Sequence, residues 1–587
     1  MNTQDREILI TLAQTRYQSQ RMLAHDSGCA IGTVNQALRS LSAEGYLNEY
    51  QELTPKAQQL LAENKPRSAI ILAAGYGLRM VPINTETPKG LLEVNGQPLI
   101  ERLILQLQEV GIRKIYIIVG FMKEQYEYLI DAYGVELIVN REYGSKNNLH
   151  SLKRAAGHLA NAYIVPCDLW CRTNPFRSHE LYSWYMVSTA QDPDSTVRVN
   201  RKKELVTVTG ITPGNRMVGI SYLAPGDAET VRERLERFSR DRRYDDAFWE
   251  AVLYEKDRML PAARIVDGDS VVEINTYEQL RELDHESSQL HTRSISAVAN
   301  AMGVHVDEIK NIEALKKGMT NRSFLFSCRG EKYIMRIPGE GTEQLINRTQ
   351  EAAVYARLDG RGICDDIFYI DPKSGYKITR YFEGARVCDP LNETDLRRCM
   401  EKLRSFHRLR LKVAHTFDIF GQIDFYESLW NGHPSVYRDY EKTKEKVLSL
   451  KSYIEQHAAP HVLTHIDAVP DNFLFVSDGS GGEQIRLIDW EYAGMQDPHV
   501  AIAMFCIYAL YDRQQVDHLI DLYFENACSR EDRIKIYCCI ACCGLLWSNW
   551  CEYKQQLGVE FGEYSLRQYR YAKDYYRIVQ EERKGDI

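Results

Sequence analysis

The chain has no apolar run approaching the ~20 residues that a membrane-spanning helix needs, and it has no internal repeat or low-complexity tract. Its fourteen cysteines are scattered without an even framework and no signal peptide precedes them, so reduced thiols and a cytoplasmic location are expected. There is no excess of positive charge. The formal net charge of -8 gives no reason to expect a polyanionic partner or an anionic membrane surface. A single core is excluded as well, because 587 residues imply three or four domains at about 150 residues each. Five cysteines fall between Cys538 and Cys551, but the segment is apolar and no histidine or carboxylate converges on it. It reads as a buried helix whose thiols act as small core residues, rather than as a metal site.

What is present divides by pattern into a multidomain chain. Residues 1–65 read as short helices over 5–13, 19–26 and 33–44, then a GYL turn, a short polar strand, and a helix opened by Pro55. That is the pattern of a winged helix-turn-helix, mainly α, and TPKAQQLL resembles the segment after the wing in bacterial regulators. Residues 67–284 alternate strand-length apolar runs (IYIIVGF, VELIVN, AYIVPCDL, VVEIN) with amphipathic stretches. This predicts an α/β domain with a largely parallel sheet and ligands at the carboxyl ends of its strands. The polar, unpatterned DHESSQLHTRS opens a linker assigned to 285–300. In 301–587, SFLFSC, KYIMRIP and YKITRYF predict a small antiparallel sheet, followed by mostly helical sequence: a two-lobed α+β phosphotransferase architecture.

Two phosphate-handling signatures stand out. The first is AIILAAGYGLRM followed by TPKG, over 69–90. Glycines at Gly75 and Gly77, just after a buried strand, let backbone N–H groups approach a nucleotide, which is expected against Ala73, Ala74, Gly75 and Gly77. Arg79 can engage the triphosphate through its planar fork, and Lys89 supplies a second cation near the phosphate under attack. The region from Ala69 to about Leu283 resembles the sugar-nucleotide and phosphocholine nucleotidyltransferases. IIVGFMKEQYEYL, NREYGSKNNLHSL and YDDAFWEAVL point to the phosphocholine cytidylyltransferase branch. The resemblance implies Mg2+ held by Asp168 and by Asn275, and attack of phosphocholine on CTP with loss of pyrophosphate. Asn275 stands where the phosphocholine enzymes carry aspartate. Trp249 is either a cation–π partner for the quaternary ammonium or a core tryptophan.

The second signature is THIDAVPDNFLF followed by LIDWEYAG, over 464–494. Phosphoryl transfer to an alcohol needs a carboxylate for the hydroxyl and oxygen ligands for magnesium. Asp467 suits the base and Asn472 and Asp489 suit the ligands, while His465 braces the loop. LKKGMTNRSFLF, with Gly318 and Asn321, resembles the nucleotide loop of choline and aminoglycoside kinases. The resemblance, running from about 309 to 576, places Arg336 where many kinases carry lysine and gives it Glu351 as helix partner. Trp547, Trp550 and Tyr553 are either an aromatic box for choline or packing, and Glu491 is either a carboxylate near the cation or structural.

The expectation is a bifunctional enzyme: ATP phosphorylates choline, and CTP then converts phosphocholine to CDP-choline, in a bacterial pathway that decorates surface polymers. The alternatives are the same steps on ethanolamine or another amino alcohol, and a ligand-sensing DNA-binding regulator. DNA is not favoured, because seven acids outnumber six basic residues over 1–65 and Arg39 is the only basic residue between Ile31 and Glu44. Packing, dimerisation or regulation are the other roles open to that segment. The sequence leaves the oligomeric state undetermined.

Overall fold

The computed structural model describes every residue except 16, 209–211, 316–320, 340, 341, 343, 480, 558, 560 and 585–587. It forms two compact units, Met1–Thr292 and Arg293–Ile587. The first unit opens with helices α1 (Thr3–Gln14), α2 (Gln20–Ser27), α3 (Ile31–Ala43) and α4 (Pro55–Glu63). Side chains cap them where the sequence supplies caps: Asn2 and Asp5 form a capping box on α1, Ser19 caps α2, and Thr54 caps α4 ahead of Pro55. Gly28 ends α2 in the left-handed conformation. Between α3 and α4 the chain makes only a single antiparallel bridge, Leu47 to Leu53.

These helices are packed on the rest of the first unit. Their apolar core, built on Ile8, Val34, Leu38 and Leu61, also includes Leu181, with Tyr182 against it. Polar contacts fix the docking. Glu7 on α1 accepts hydrogen bonds from Arg177 (2.7 Å) and Tyr182 Oη (2.7 Å), and Arg6 donates to the Leu181 carbonyl. Glu180 is paired with Arg264 at 3.1 Å. Burial alone would raise the Glu7 carboxyl, but Arg177 and Arg264 hold it below its ordinary value.

The sheet of the first unit contains β1 (Ser68–Ala73), β2 (Lys114–Val119), β3 (Glu136–Val139), β4 (Ala162–Pro166), β6 (Trp184–Asp192), β7 (Val197–Val199), β8 (Glu204–Thr207), β9 (Gly214–Leu223) and β10 (Arg258–Val266). Their spatial order is β3-β2-β1-β4-β9-β6-β10-β8-β7, with Tyr254–Glu255 adding a tenth short strand to β10. Strands β5 (Leu169–Cys171) and β11 (Val271–Glu273) pair separately. The expected parallel sheet is present as β3-β2-β1-β4. It is extended by β9, antiparallel to both β4 and β6, so the sheet is mixed. β1 is buried at all six positions, as a strand covered on both faces must be.

The second unit begins at the residues assigned to a linker, where the helix Arg293–Met302 is already formed. Its small lobe is an antiparallel sheet of β12 (Lys310–Ala314), β13 (Asn321–Cys328), β14 (Glu331–Pro338), β15 (Ile367–Ile370) and β16 (Lys377–Arg380), in the order β12-β13-β14-β16-β15. The larger lobe is helical and closes on the 27-residue helix Arg530–Gln556, which packs along the helix Glu563–Lys584. Gly544 permits the approach, since a Cβ there would lie 2.8 Å from the Gln568 carbonyl oxygen. Helix 530–556 is long and apolar enough to cross a membrane by length and composition, with a mean hydropathy of 1.3 in its most apolar window, so the sequence expectation that no such run exists needs correction. That window is entirely buried inside the protein, and its cysteines are core residues.

Removing Arg177 would take from Glu7 its direct ion-pair partner and leave Arg264 to serve both Glu7 and Glu180. Arg177→Ala is expected to destabilise the first unit by about 3 kcal/mol, the usual cost of orphaning a buried charge. Thermal unfolding of the full chain reads the loss, and an unchanged Tm would show that the docking network contributes little.

Candidate functional site

The first site lies at the carboxyl ends of β1 and β4, in a cleft of about 530 Å3. It is lined by Ala73, Ala74, Gly75, Gly77, Arg79, Lys89, Asp168 and Asn275, so every residue that the sequence assigned to the nucleotide, the phosphates and the metal converges there. Gly77 has φ near 60°, and a Cβ there would lie 3.4 Å from the Lys89 side chain. Lys89 donates to Asp168, and Lys89 (2.6 Å) and Arg79 (2.8 Å) both donate to Asn275 Oδ1. Asp168 follows β4, and Asn275 follows β11 through Ile274, whose N–H bonds the Asp168 carbonyl at 2.9 Å. The strand pair β5–β11 therefore brings two sequence-distant ligand candidates together.

Asp168 keeps one carboxylate oxygen, Oδ1, buried and without a hydrogen-bond partner. An orphaned anionic oxygen beside two cations fits a site completed by a divalent ion. Glu273, two residues before Asn275, is a group that motif reading missed. Desolvation and the neighbouring Asp168 charge push its carboxyl up, and Arg79 and Lys89 oppose them.

Trp249 is corrected. It is 0% exposed and packs against Tyr185 in the core beneath the sheet, outside the cleft. Phe248 instead lines the cleft and is 65% exposed. The reason is local phase. Phe248 is extended and Trp249 opens a 3-10 turn, so the two neighbouring aromatics part to opposite sides. Tyr143, Lys146 and Asp246 also line the cleft and were not singled out from the sequence.

The second site is a cavity of about 640 Å3 reached by both lobes of the second unit. Asn321, Arg336, Asp467, Asn472, Asp489, Glu491, Trp547 and Trp550 line it; Gly318 lies outside the described residues. Asn472 Nδ2 donates to the Asp467 backbone carbonyl (2.9 Å) and to its carboxylate (3.2 Å). His465 Nε2 donates to the Ile488 carbonyl at 2.9 Å, tying the loop that carries Asp467 to the strand end that carries Asp489. Burial pulls the His465 pKa down to about 4, so it is neutral at pH 7. Ile466 and Asp489 both adopt left-handed backbone, φ 68° and 66°. At non-glycine residues that conformation costs about 1–2 kcal/mol each, and such strain collects where geometry is held for function.

Burial, followed by repulsion from Glu491, raises Asp467 to about 7 and Asp489 to about 8. The Asp467 carboxylate meets the Asn472 amide and the Asp489 carboxyl lines the same cavity; carboxylate and amide oxygens are donors for a hard cation, so Asn472 and Asp489 fit a magnesium ion as Asp168 does in the first cleft.

Arg336, on β14, grips Glu351 through both guanidinium nitrogens, and its second nitrogen also donates to the Gly375 carbonyl (3.0 Å). Burial would raise Glu351, but Arg336, Lys377 and Arg348 outweigh it and hold the carboxyl at about 2. Glu351 stands behind Arg336 and does not line the cavity. Arg348, which the sequence reading missed, donates to Glu351 (2.9 Å), Glu491 (3.1 Å) and Asn321 Oδ1 (3.1 Å). Glu491 is thereby corrected. Its charge is taken up by Arg348, with Arg336 at 3.9 Å and Asn321 Nδ2 at 3.1 Å, rather than reserved for a substrate cation.

The aromatic lining is built by Tyr492, Trp547 and Trp550, with Tyr508 and Tyr564. Trp547 meets Tyr492 edge-on (5.5 Å, 89°) and Trp550 at 5.4 Å. Tyr553 is buried without reaching the cavity, because six residues beyond Trp547 turn it about 120° around the helix axis. Three tyrosines from other elements complete the enclosure instead.

Comparison with known proteins agrees with this geometry. Residues 69–270 match the MobA-like NTP transferase domain family, and residues 312–538 match the choline/ethanolamine kinase family. Over 220 residues the chain is 33% identical to the choline-phosphate cytidylyltransferase of Streptococcus pneumoniae, covering 37% of this chain and 96% of that one. It is 30% identical over 231 residues to the 2-aminoethylphosphonate cytidylyltransferase of Lancefieldella rimae, covering 37% and 92%. It is 29% identical over 262 residues to protein LicA of Haemophilus influenzae, covering 42% and 95%. The chain is therefore a bifunctional enzyme that belongs to the choline-phosphate cytidylyltransferase family in its first unit and carries a choline kinase domain in its second.

Proposed function

We propose that the second unit phosphorylates choline with ATP and that the first converts the resulting phosphocholine, with CTP, to CDP-choline and pyrophosphate. The observation that carries this reading is the shared lining of the cavity in the second unit. Asp467, Asn472 and Asp489 line it together with the aromatic side chains of Tyr492, Tyr508, Trp547, Trp550 and Tyr564. A trimethylammonium cannot donate N–H hydrogen bonds and is attracted to π faces, so the aromatic lining suits choline while its hydroxyl meets Asp467.

In the kinase step the hydroxyl oxygen bonds to the γ-phosphorus of ATP, the bond to the β-phosphate oxygen breaks, and Asp467 takes the hydroxyl proton. Arg336, held by Glu351, and Arg348 supply fixed positive charge toward the nucleotide. In the cytidylyl step a phosphate oxygen of phosphocholine bonds to the α-phosphorus of CTP, and pyrophosphate leaves. Arg79 and Lys89 hold the developing charge, and no covalent nucleophile is required. Magnesium, held by Asn472 and Asp489 in one site and by Asp168 with Asn275 in the other, would neutralise phosphate charge in both reactions. In the cytidylyl cleft, Phe248 and Asp246 are the groups suited to the quaternary ammonium. We read residues 1–65 as a winged-helix module. A second reading gives the first unit a primary-amine substrate, and its similarity to the 2-aminoethylphosphonate enzyme favours it.

Asp467→Ala is expected to abolish ATP-dependent phosphorylation of choline and leave cytidylyl transfer from added phosphocholine intact, and Lys89→Ala to do the reverse. Loss of both activities in either variant would refute separate sites. Trp550→Ala should raise KM for choline at least tenfold with little change for ATP, whereas Tyr553→Phe should change neither; equal effects on choline and ATP would mean packing. Metal binding has its own signature. Asp467 and Asp489, raised to about 7 and about 8, hold protons that the unfolded chain has already lost above about pH 4. Their contribution to stability therefore falls as pH rises through that window, and a bound cation offsets the loss. Mg2+ should raise the Tm of the second unfolding transition more at pH 8 than at pH 5.5, and Asp489→Asn should remove most of the difference. Equal shifts at both pH values would contradict the assignment.

A further inference from the structure

The charge inventory of residues 1–65 argues against nucleic acid only while those residues are considered alone. Their folded arrangement spends several of the acids. Asp5 is engaged in the α1 capping box and accepts from Ser40 Oγ, Glu7 is held by Arg177 and Tyr182, and Glu44 lies 3.6 Å from the amino terminus. Helix α3 is left with an outward face at i, i+3, i+4 and i+7 spacing: Gly32, Asn35, Gln36 and Arg39, of which Gly32, Gln36 and Arg39 are exposed. Asn, Gln and Arg are the side chains that read base edges in the major groove through paired hydrogen bonds.

The missing positive charge arrives from the neighbouring sheet. The β7–β8 hairpin reaches the α2–α3 turn, where Lys203 Nζ donates to the Gly28 carbonyl at 3.1 Å. Arg201 and Lys202 at its tip and Arg198 on β7 are exposed, and none of the three takes part in an ion pair among the described residues. Glu204, the acid of the hairpin, is already engaged by Asn200 Nδ2 (2.8 Å) and Arg258 (3.4 Å). The bridge between α3 and α4, by contrast, encloses Glu49 and Glu52 and has the wrong sign for phosphate.

We propose that this composite face binds double-stranded DNA, with α3 directed to the major groove and the β7–β8 hairpin of the cytidylyltransferase fold contacting phosphates in place of the acidic wing. The arrangement follows from charge and reach. Base-reading side chains fix sequence only when cations hold the backbone in register, and here the cations lie at the helix-turn-helix but outside its own sequence. The inference rests on reading residues 1–65 as a winged-helix module and is independent of the catalytic assignments.

The test is fluorescence anisotropy of a labelled mixed-sequence duplex of about 25 base pairs with the full chain, titrated from 25 to 200 mM KCl. Three or four phosphate contacts predict a log–log salt slope of about -3. The double variant R201E/K202E should weaken binding at least tenfold at 50 mM and flatten the slope by about 2, with cytidylyl transfer on the same preparation unchanged. Retained transfer shows that the fold and the catalytic reading stand whatever the DNA result. Three outcomes would each overturn the proposal: no duplex binding at 25 mM salt, binding indifferent to R201E/K202E, or capture of anionic phospholipid vesicles through these residues with the duplex ignored.

Discussion

Carboxylates held close together, with too few counter-charges of their own, are the constraint on which both catalytic halves depend. In the second unit Asp467, Asp489 and Glu491 crowd one cavity, and burial with repulsion from Glu491 raises Asp467 to about 7 and Asp489 to about 8. In the first unit the Asp168 charge adds to desolvation in pushing the Glu273 carboxyl up, and Asn275, Lys89 and Arg79 oppose it. Such sites are costly while empty and favourable when phosphate and a divalent cation arrive together, because ligand charge then completes a network that the protein leaves open. The protein holds these groups rigidly by local strain and bracing: left-handed backbone at Ile466 and Asp489, the His465–Ile488 hydrogen bond, and the β5–β11 pairing that sets Asn275 beside Asp168. The two halves solve the same electrostatic problem with unrelated folds.

Arginine does different work in each half. Arg79 reaches Asn275 across the mouth of an open cleft and remains free to turn toward a triphosphate. Arg336 is gripped by Glu351 and backed by Arg348, so its charge is fixed in place before any nucleotide enters. Glu491 belongs to that fixed network. Its carboxylate is already engaged by Arg348 and Asn321.

Much of this was legible in the sequence, for identifiable reasons. The buried run 68–73 followed by glycines could only be a central strand feeding a phosphate loop, and H-x-D-x-x-x-x-N places base and amide on one short turn. Short-range spacing carried those readings. What sequence spacing cannot carry is phase and long-range pairing. Phe248 and Trp249 are adjacent, and only the 3-10 turn at 249–253 decides which of them enters the cleft. Arg348 and Lys377 come from elements with no motif, and Tyr492, Tyr508 and Tyr564 come from three separate segments. The antiparallel extension of the sheet was missed because its strands resemble parallel ones in composition. The docking of α1 through Glu7 and Arg177, 170 residues apart, had no local signal at all.

The order of the two units along the chain is the reverse of the order of the reactions, so the product of the second unit must reach the first as a free or transferred phosphomonoester. The most direct test of the account is a one-pot reaction of the full chain with choline, ATP, CTP and Mg2+, followed by 31P NMR. The account predicts that ADP and phosphocholine appear first, and that phosphocholine is then consumed as CDP-choline and pyrophosphate rise in equal amounts. Phosphocholine that accumulates without pyrophosphate, or CTP consumption without prior ADP formation, would contradict it.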